Sequence, residues 1–391
     1  MNALVTPEYG VAVIGYSFMG KAHSNAWRNV GPFFPDVPHV RQTVLVGRDE
    51  EQVAAAAKQY GWQDAETDWR RVLERADVDI VDICLPGHLH AEVAEAALAA
   101  GKHVLMEKPL ANDVAQAESM VRAAVAAREQ GVHSMVGFNY RRVPALELAH
   151  DVVRSGRIGE LRQARICYLQ DWLTDETAPM AWRLRREEAG SGSIGDLASH
   201  AVDQLLYLTG DTVTSVSATT RTFVPERPGP SGPEPVTVED AAWATLQTAS
   251  GMVVSLEVSR MAAGRKNGLS IELYGSRGSV SFALESLNQL RVHETDVPGS
   301  VSTAGTTDIL VTEPDHPHLE AWWPPGHLLG WDHSFTNQAA DLLRCLASGE
   351  APTPSFEEGL AVQRVLAAIE QSHGEDARRV PVSDAPVTLT A

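Results

Sequence analysis

Through its first third the chain alternates short apolar runs with helix-like stretches, and no other feature restricts its fold as much. YGVAVI (9 to 14) leads through a glycine-rich turn into a helical stretch that closes at Gly31-Pro32. VLVG (44 to 47) leads into an alanine-rich helix over 50 to 60, and DIVDICLP (79 to 86) into HLHAEVAEAALAAG, with Gly101 as its C-cap. HVLMEK (103 to 108) precedes a helix that Asn112 or Asp113 can cap, and VHSMVGF (132 to 138) follows. Continuous apolar strands separated by helices belong in a parallel sheet covered on both faces. Residues 1–138 are therefore expected to form an α/β domain.

Past about residue 140 the pattern changes. VTSVSATTRTFV, AAWATLQTASGMVVSLEVSR and LSIELYGSRGSVSFAL read as strands, the last two broken by the turns Ser250-Gly251 and Ser276 to Gly278. Residues 139–391 are expected to form an α+β domain with a large, mainly antiparallel sheet, finished by helices over roughly 332 to 348 and 357 to 373. PERPGPSGPEP, between Phe223 and Val236, is expected to be a surface loop without regular structure. Two domains also suit 391 residues, since one core usually stops growing at roughly 250–300.

The net charge of -19 offers no basic face, so neither nucleic acid nor an anionic membrane is an expected partner. Three scattered cysteines, Cys84, Cys167 and Cys345, suit a reducing compartment rather than a disulfide framework or a zinc site. MNALVTPEYG lacks the basic flank and apolar segment of a signal peptide, and no apolar run nears the roughly 18 residues of a membrane span. A cytoplasmic protein is expected.

GYSFMGKAH, residues 15 to 23, fills the first strand-to-helix turn and matches G-x-G-x-x-G at Gly15 and Gly20, with Ser17 in the middle. In such a turn the glycines allow close backbone approach, and the helix N-terminus supplies donors and a positive dipole to a pyrophosphate. Gly15, Ser17, Phe18, Met19 and Gly20 are accordingly candidate cofactor contacts. Where the second strand ends, an acid would grip the ribose of NAD and an arginine would accommodate the 2′-phosphate of NADP. Here Gly47 takes the acid's place, Arg48 follows, and Asp49 could be only a helix cap, so both cofactors stay open. Pro86, His88 and His90, then Glu107 and Lys108, then Asn139 to Arg142, follow the ends of successive strands, the edge at which open α/β sheets bind ligands. In EAGSGSIGDLASHAVDQLLYLTG (188 to 210), Asp196 and His200 stand four residues apart, which puts them on one helix face.

These segments together resemble the Gfo/Idh/MocA oxidoreductases, across GYSFMGKAHS, PGHLHAEVAEAALAAGKHVLMEKPLA, VGFNYRRVPA, WRLRREEAGSGSIGDLASHAVDQLLYLTG and PSFEEGLAVQRVLAAIEQS. The resemblance implies a Rossmann domain followed by a sheet domain that builds homodimers or homotetramers. It also implies NAD or NADP as cofactor and a sugar or cyclic polyol as substrate, with a pyranose C3, as in a levoglucosan-like anhydrosugar, as one instance. Its EKP lysine falls on Lys108, and its acid and histidine on Asp196 and His200. Ser17 and Gly47 depart from the family pattern and bear on cofactor preference. Oxidising a secondary alcohol needs a base for the hydroxyl proton and a cation for the developing alkoxide. His200 suits the base, Lys108 the cation, and Asp196 an orienting role, the first proton acceptor among the three being left open.

No metal is expected, and the histidines of HPH (316 to 318) are read as part of a proline-rich loop. Tyr140, Arg141, Trp172, Trp182, Trp322, Trp323 and His333 are candidates to line a sugar site, because pyranose C–H faces pack on aromatic rings, and each tryptophan could equally be core. Two alternatives remain: an oxidoreductase that recycles a tightly held nucleotide, and a non-catalytic NAD(P)-sensing protein, which would be expected to lack Lys108 or His200.

Overall fold

A computed structural model describes residues 8–295, 305–383 and 387. The chain divides into two compact units: one takes the chain as far as Asn139 together with Gly330–Leu360, the other Tyr140–Leu329 and Ala361–Ala385.

In the first unit β1 (Glu8–Ile14), β2 (His39–Val46), β3 (Asp64–Glu66), β4 (Ile80–Ile83), β5 (His103–Met106) and β6 (Ser134–Val136) form one sheet in the order β3-β2-β1-β4-β5-β6. Every pairing in it is parallel. The reversal of strand order between β1 and β4 is the point at which such sheets open a crevice. Helices α1 (Phe18–Phe33), α2 (Glu50–Tyr60), α3 (Trp69–Leu73), α4 (His90–Ala99) and α5 (Val114–Arg128) supply the crossovers. Their cover explains the unbroken apolar strands: Val11 to Ile14, Val44 to Val46 and Val104 to Met106 are all buried. Asp49, Asp68 and Asp113 cap α2, α3 and α5 by accepting backbone N–H bonds.

The second unit carries α6 (Pro144–Arg154), β7 (Leu161–Leu169), α7 (Arg186–Ala189), α8 (Ser199–Thr209), β8 (Val213–Arg221), β9 (Glu226–Gly229), β10 (Gly232–Pro235), β11 (Ala241–Thr248) and β12 (Val253–Ser259). It continues with β13 (Gly268–Gly275), β14 (Gly278–Ala283), β15 (Gln289–Glu294) and β16 (Thr307–Leu310). After α9 (His333–Ser348) come α10 (Phe356–Gly374) and β17 (Val380–Pro381). Nine strands form one sheet, ordered β16-β15-β14-β13-β7-β12-β11-β8-β17. Among the described residues of this sheet only β12 and β7 pair parallel, which makes it mixed but mainly antiparallel, as expected. Helix α6 packs on β14 and β15, and α8 on β7. Side chains alternate accordingly, with Ala244, Leu246, Val254 and Leu256 buried and Trp243, Thr245, Val253 and Ser255 exposed.

Three expectations need correction. The second domain does not take all of 139–391: α9 packs against α1 and, with Gly330–Leu360, belongs to the first unit. Its apolar face, which includes Phe335, Ala339, Leu342 and Leu343, needs a partner, and sequence order cannot say which element supplies it. Helix α1 does not close at Gly31-Pro32 but runs on to Phe33. Pro32 sits in the last turn, where its missing N–H forfeits a single bond. PERPGPSGPEP is not irregular, because β9 and β10 pair antiparallel, with Pro233 opposite Pro228. In a two-stranded ribbon each strand pairs along one edge only, so a proline that donates no bond is tolerated, and the Pro228 carbonyl accepts from the Met180 N–H at 2.7 Å. Among the described residues no helix is long and apolar enough to cross a membrane.

Candidate active site

The glycine-rich turn is shaped by contacts that exclude side chains. Gly15 has φ +110°, and a Cβ there would lie 2.5 Å from the Cys84 carbonyl oxygen. A Cβ on Gly20 would lie 1.8 Å from the Gly15 carbonyl oxygen, so helix α1 starts in direct backbone contact with the turn. Ser17, exposed at the N-cap of α1, makes no side-chain capping bond, and the first amides of the helix have no intrahelical acceptors. That combination fits a pyrophosphate. Phe18, 65% exposed, stacks on Trp331 at 5.6 Å and puts an aromatic surface beside the turn, while Met19 is half-buried. Trp331 was not among the sequence candidates, since a tryptophan in a proline-rich stretch carries no signal of its own.

At the end of β2 the missing acid has a steric cause: a Cβ on Gly47 would lie 2.0 Å from the Tyr16 ring. Tyr16 fills the place that an acidic side chain would occupy. Asp49 is engaged as the cap of α2, accepting from the Gln52 amide at 2.9 Å, and Arg48 is exposed.

Along the edge after β4 and β5 the candidates separate. Pro86 leads a short 3-10 turn, Gly87–Leu89, on which His88 is exposed. Lys108 is half-buried just beyond β5. His90 and Glu107, expected to touch cofactor, instead turn inward. The ring nitrogens of His90 face the Pro109 carbonyl at 3.0 Å and the Leu85 carbonyl at 2.9 Å, so it fastens the segment after Lys108 to the end of β4. Glu107 accepts from the Lys108 backbone N–H at 3.2 Å and meets His23 Nε2 at 3.0 Å. In both cases burial forces the polar atoms to find protein partners. His333, expected in the second domain, lies in the first unit, where its Nδ1 accepts from the Gly330 N–H at 3.1 Å.

In the second unit the glycine-rich approach to Asp196 is also a matter of space: a Cβ on Gly192 would lie 1.9 Å from the Glu239 carbonyl oxygen. Glu239, buried, accepts from the Gly192 and Ile194 N–H groups at 2.8 and 2.7 Å, and its burial raises its pKa. The segment Ile194–Ala198, which contains Asp196, is a π turn, closed by the Ser199 N–H on the Ile194 carbonyl. Such wide turns occur frequently at functional sites, and this one replaces the regular α spacing expected between Asp196 and His200. His200 is buried near the start of α8, with the Tyr140 ring at 4.5 Å and the Tyr168 ring edge-on at 6.0 Å. The tyrosine hydroxyls lie 2.9 Å apart, Tyr168 donates to Asn267 Oδ1 at 2.7 Å, and Gln170 reaches the same oxygen at 2.9 Å. Tyr168, in β7, and Gln170 and Asn267, just outside β7 and β13, escaped the sequence reading because nothing local distinguishes them.

Arg141 does not fit a sugar-binding role. Its guanidinium is buried against Asp203 on α8 at 2.6 Å, over the Tyr207 ring, and so ties the start of this unit to α8. Trp172 is 43% exposed, with the Arg260 guanidinium over its ring. Trp182 is similarly covered by Arg183, Trp322 is half-buried and Trp323 exposed. His316 accepts from the Glu313 N–H, and His318 lies 3.7 Å from Glu147.

Residues 9–138 match the oxidoreductase family with an NAD-binding Rossmann fold, and residues 146–281 the GFO/IDH/MocA C-terminal domain. The chain belongs to the Gfo/Idh/MocA oxidoreductase family. It is 36% identical over 382 residues to levoglucosan dehydrogenase of Pseudarthrobacter phenanthrenivorans, spanning 94% of this chain and 96% of that one. A levoglucosan dehydrogenase solved with NADH and levoglucosan superposes with a TM-score of 0.91 at 36% identity, over 96% of this chain and 99% of the other. An oxidoreductase domain protein from Kribbella flavida superposes with a TM-score of 0.94 at 50% identity, over 97% and 100%. As a Gfo/Idh/MocA protein the chain is a nicotinamide-dependent oxidoreductase, and the cradle around Gly15 and Gly20 fits that cofactor.

Proposed function

We propose that the protein is a dehydrogenase that oxidises a secondary hydroxyl of a sugar or anhydrosugar, with a levoglucosan-like pyranose as the preferred class and C3 as the carbon. The likeness over almost the whole chain to a levoglucosan dehydrogenase carries this reading. The nicotinamide, when bound, takes up the hydride. His200 accepts the hydroxyl proton, its ring packed against those of Tyr140 and Tyr168. Lys108 donates to the reacting oxygen and stabilises its developing charge. Asp196, held by the π turn, orients the substrate. Pro86 and His88 contribute to the cofactor pocket with the glycine-rich turn. The protein works in the cytoplasm as a homodimer or homotetramer.

Anhydrosugars, hexoses and inositols offered with NAD or NADP, with reduced cofactor followed by absorbance, test the reading. Levoglucosan or a close pyranose is expected to turn over, and Lys108→Ala to cut kcat by about 100-fold or more while nucleotide binding persists. Turnover unchanged in that variant would remove Lys108 from the mechanism.

A further inference from the structure

Beneath Lys108 lies a buried charged cluster that the roles above do not use. His23, on the second turn of α1, is 2% exposed, and Asp82, in β4, is fully buried. His23 Nδ1 sits 2.9 and 2.8 Å from the two Asp82 oxygens, and its Nε2 sits 3.0 Å from Glu107 Oε1. The carboxylates have further donors: Trp27 Nε1 reaches Asp82 at 2.7 Å and the Cys84 thiol reaches it at 3.7 Å, while the Lys108 backbone N–H reaches Glu107 Oε2 at 3.2 Å. An ionised carboxylate only accepts, so with both acids ionised the ring between them donates from both nitrogens, as only the imidazolium does.

We propose that His23 is a positioning residue: as a buried cation it clamps Asp82 and Glu107, locks α1 to the ends of β4 and β5, and through Glu107 fixes the backbone that aims Lys108. The clamp joins the helix that receives the cofactor's phosphates to the strand end that presents the lysine. Breaking one member of a buried ion pair leaves an uncompensated charge, so the clamp holds its geometry strongly.

The groups facing the cluster support the charge. Burial alone would lower the His23 pKa, yet the Asp82 carboxylate, together with Cys84, outweighs it and holds the ring well above the ordinary histidine range. Cys84, on β4, is a neutral thiol, its pKa pushed up to about 12 by burial. From α4 His90 faces the Glu107 side, while Phe335 of α9 packs on the ring without charge. The folded-state pKa is raised, so the clamp's contribution is complete below the unfolded value of about 6.5 and is lost only as pH climbs through the raised value.

The proposal rests on Lys108 acting in the reaction, but its decisive readouts need no turnover. Nuclear magnetic resonance of the whole protein should show the His23 ring doubly protonated past neutrality, and the Lys108 backbone amide should shift with the same midpoint. Glu107→Gln, which keeps the shape, should lower that midpoint by about one unit or more. His23→Gln should abolish the pH dependence of the Lys108 amide. It should also lower kcat about 100-fold, leaving the sugar KM and nucleotide Kd within a few-fold. A ring that titrates near 6.5, a Lys108 amide indifferent to it, or an unchanged kcat in folded His23→Gln overturns the proposal. If His23→Gln does not fold, Glu107→Gln decides on the ring and amide signals. An absence of turnover on every sugar tested would refute the substrate reading and leave the titration to judge the clamp.

Discussion

Gly47 shows how one atom's worth of space decides chemistry. At the end of β2 an acid is the expected partner of the NAD ribose, and the sequence records only that it is missing. The Tyr16 ring explains why, since any side chain at 47 would have to occupy the ring's position. Gly47→Ala is expected to destabilise the protein by about 1–3 kcal/mol through overpacking, measured by urea unfolding. Tyr16→Ala in the same chain should return most of that loss. Equal destabilisation in the single and double variants would show that the ring is not the obstacle. Gly20 is stricter, because its obstacle is the Gly15 carbonyl of the backbone, which has nowhere to turn. Gly20 was legible as part of a motif, and Gly47 as a departure from one. The reason for Gly47 was not, because Tyr16 and Gly47 meet only when β1 and β2 pair.

Single elements were mostly legible where periodicity was strong and turn chemistry unambiguous. The hairpin β11–β12, announced by Ser250-Gly251, and the hairpin β13–β14, announced by Ser276 to Gly278, formed at those turns. Where one residue type pulled against its surroundings, tertiary contacts won. The proline-rich ribbon β9–β10 is anchored by Arg227, buried, which donates to the carbonyls of Asp175 and Leu173 at 2.6 and 2.7 Å. The π turn at Asp196 follows from two amides bound to a buried carboxylate that stands 45 and 47 positions along the chain from them, beyond the reach of any local pattern. Helix α8 has a similar distant anchor in the Arg141–Asp203 pair. Asp203→Ala takes a buried carboxylate away from the guanidinium and should cost about 3–5 kcal/mol in unfolding free energy. Arg141→Met combined with Asp203→Ala should recover a large part of it, and a double variant no better than the single would refute the pairing argument.

At the scale of the whole molecule the open face of the nine-stranded sheet is the feature that asks for a partner. Trp243 and Val253, 39% and 49% exposed, lie on that face, on the paired strands β11 and β12. A second copy covering them accords with the proposed homo-oligomer, because exposed aromatic and branched side chains on a flat sheet suit an interface core. Trp243→Glu with Val253→Glu is expected to lower the native mass measured by light scattering while the circular dichroism of the fold persists. An unchanged mass would place the interface elsewhere, or show that there is none.

The sequence by itself determined the alternating α/β half, the hairpins of the second half, the glycine-rich turn and the family, because periodicity, turn residues and glycine positions act over a few residues. Only the tertiary structure decided that α9 joins the first unit, that His90, Glu107 and Arg141 turn inward, and that His23 stands between two acids. Those outcomes depend on which distant polar groups must satisfy one another once water is gone, and chain order does not encode that pairing.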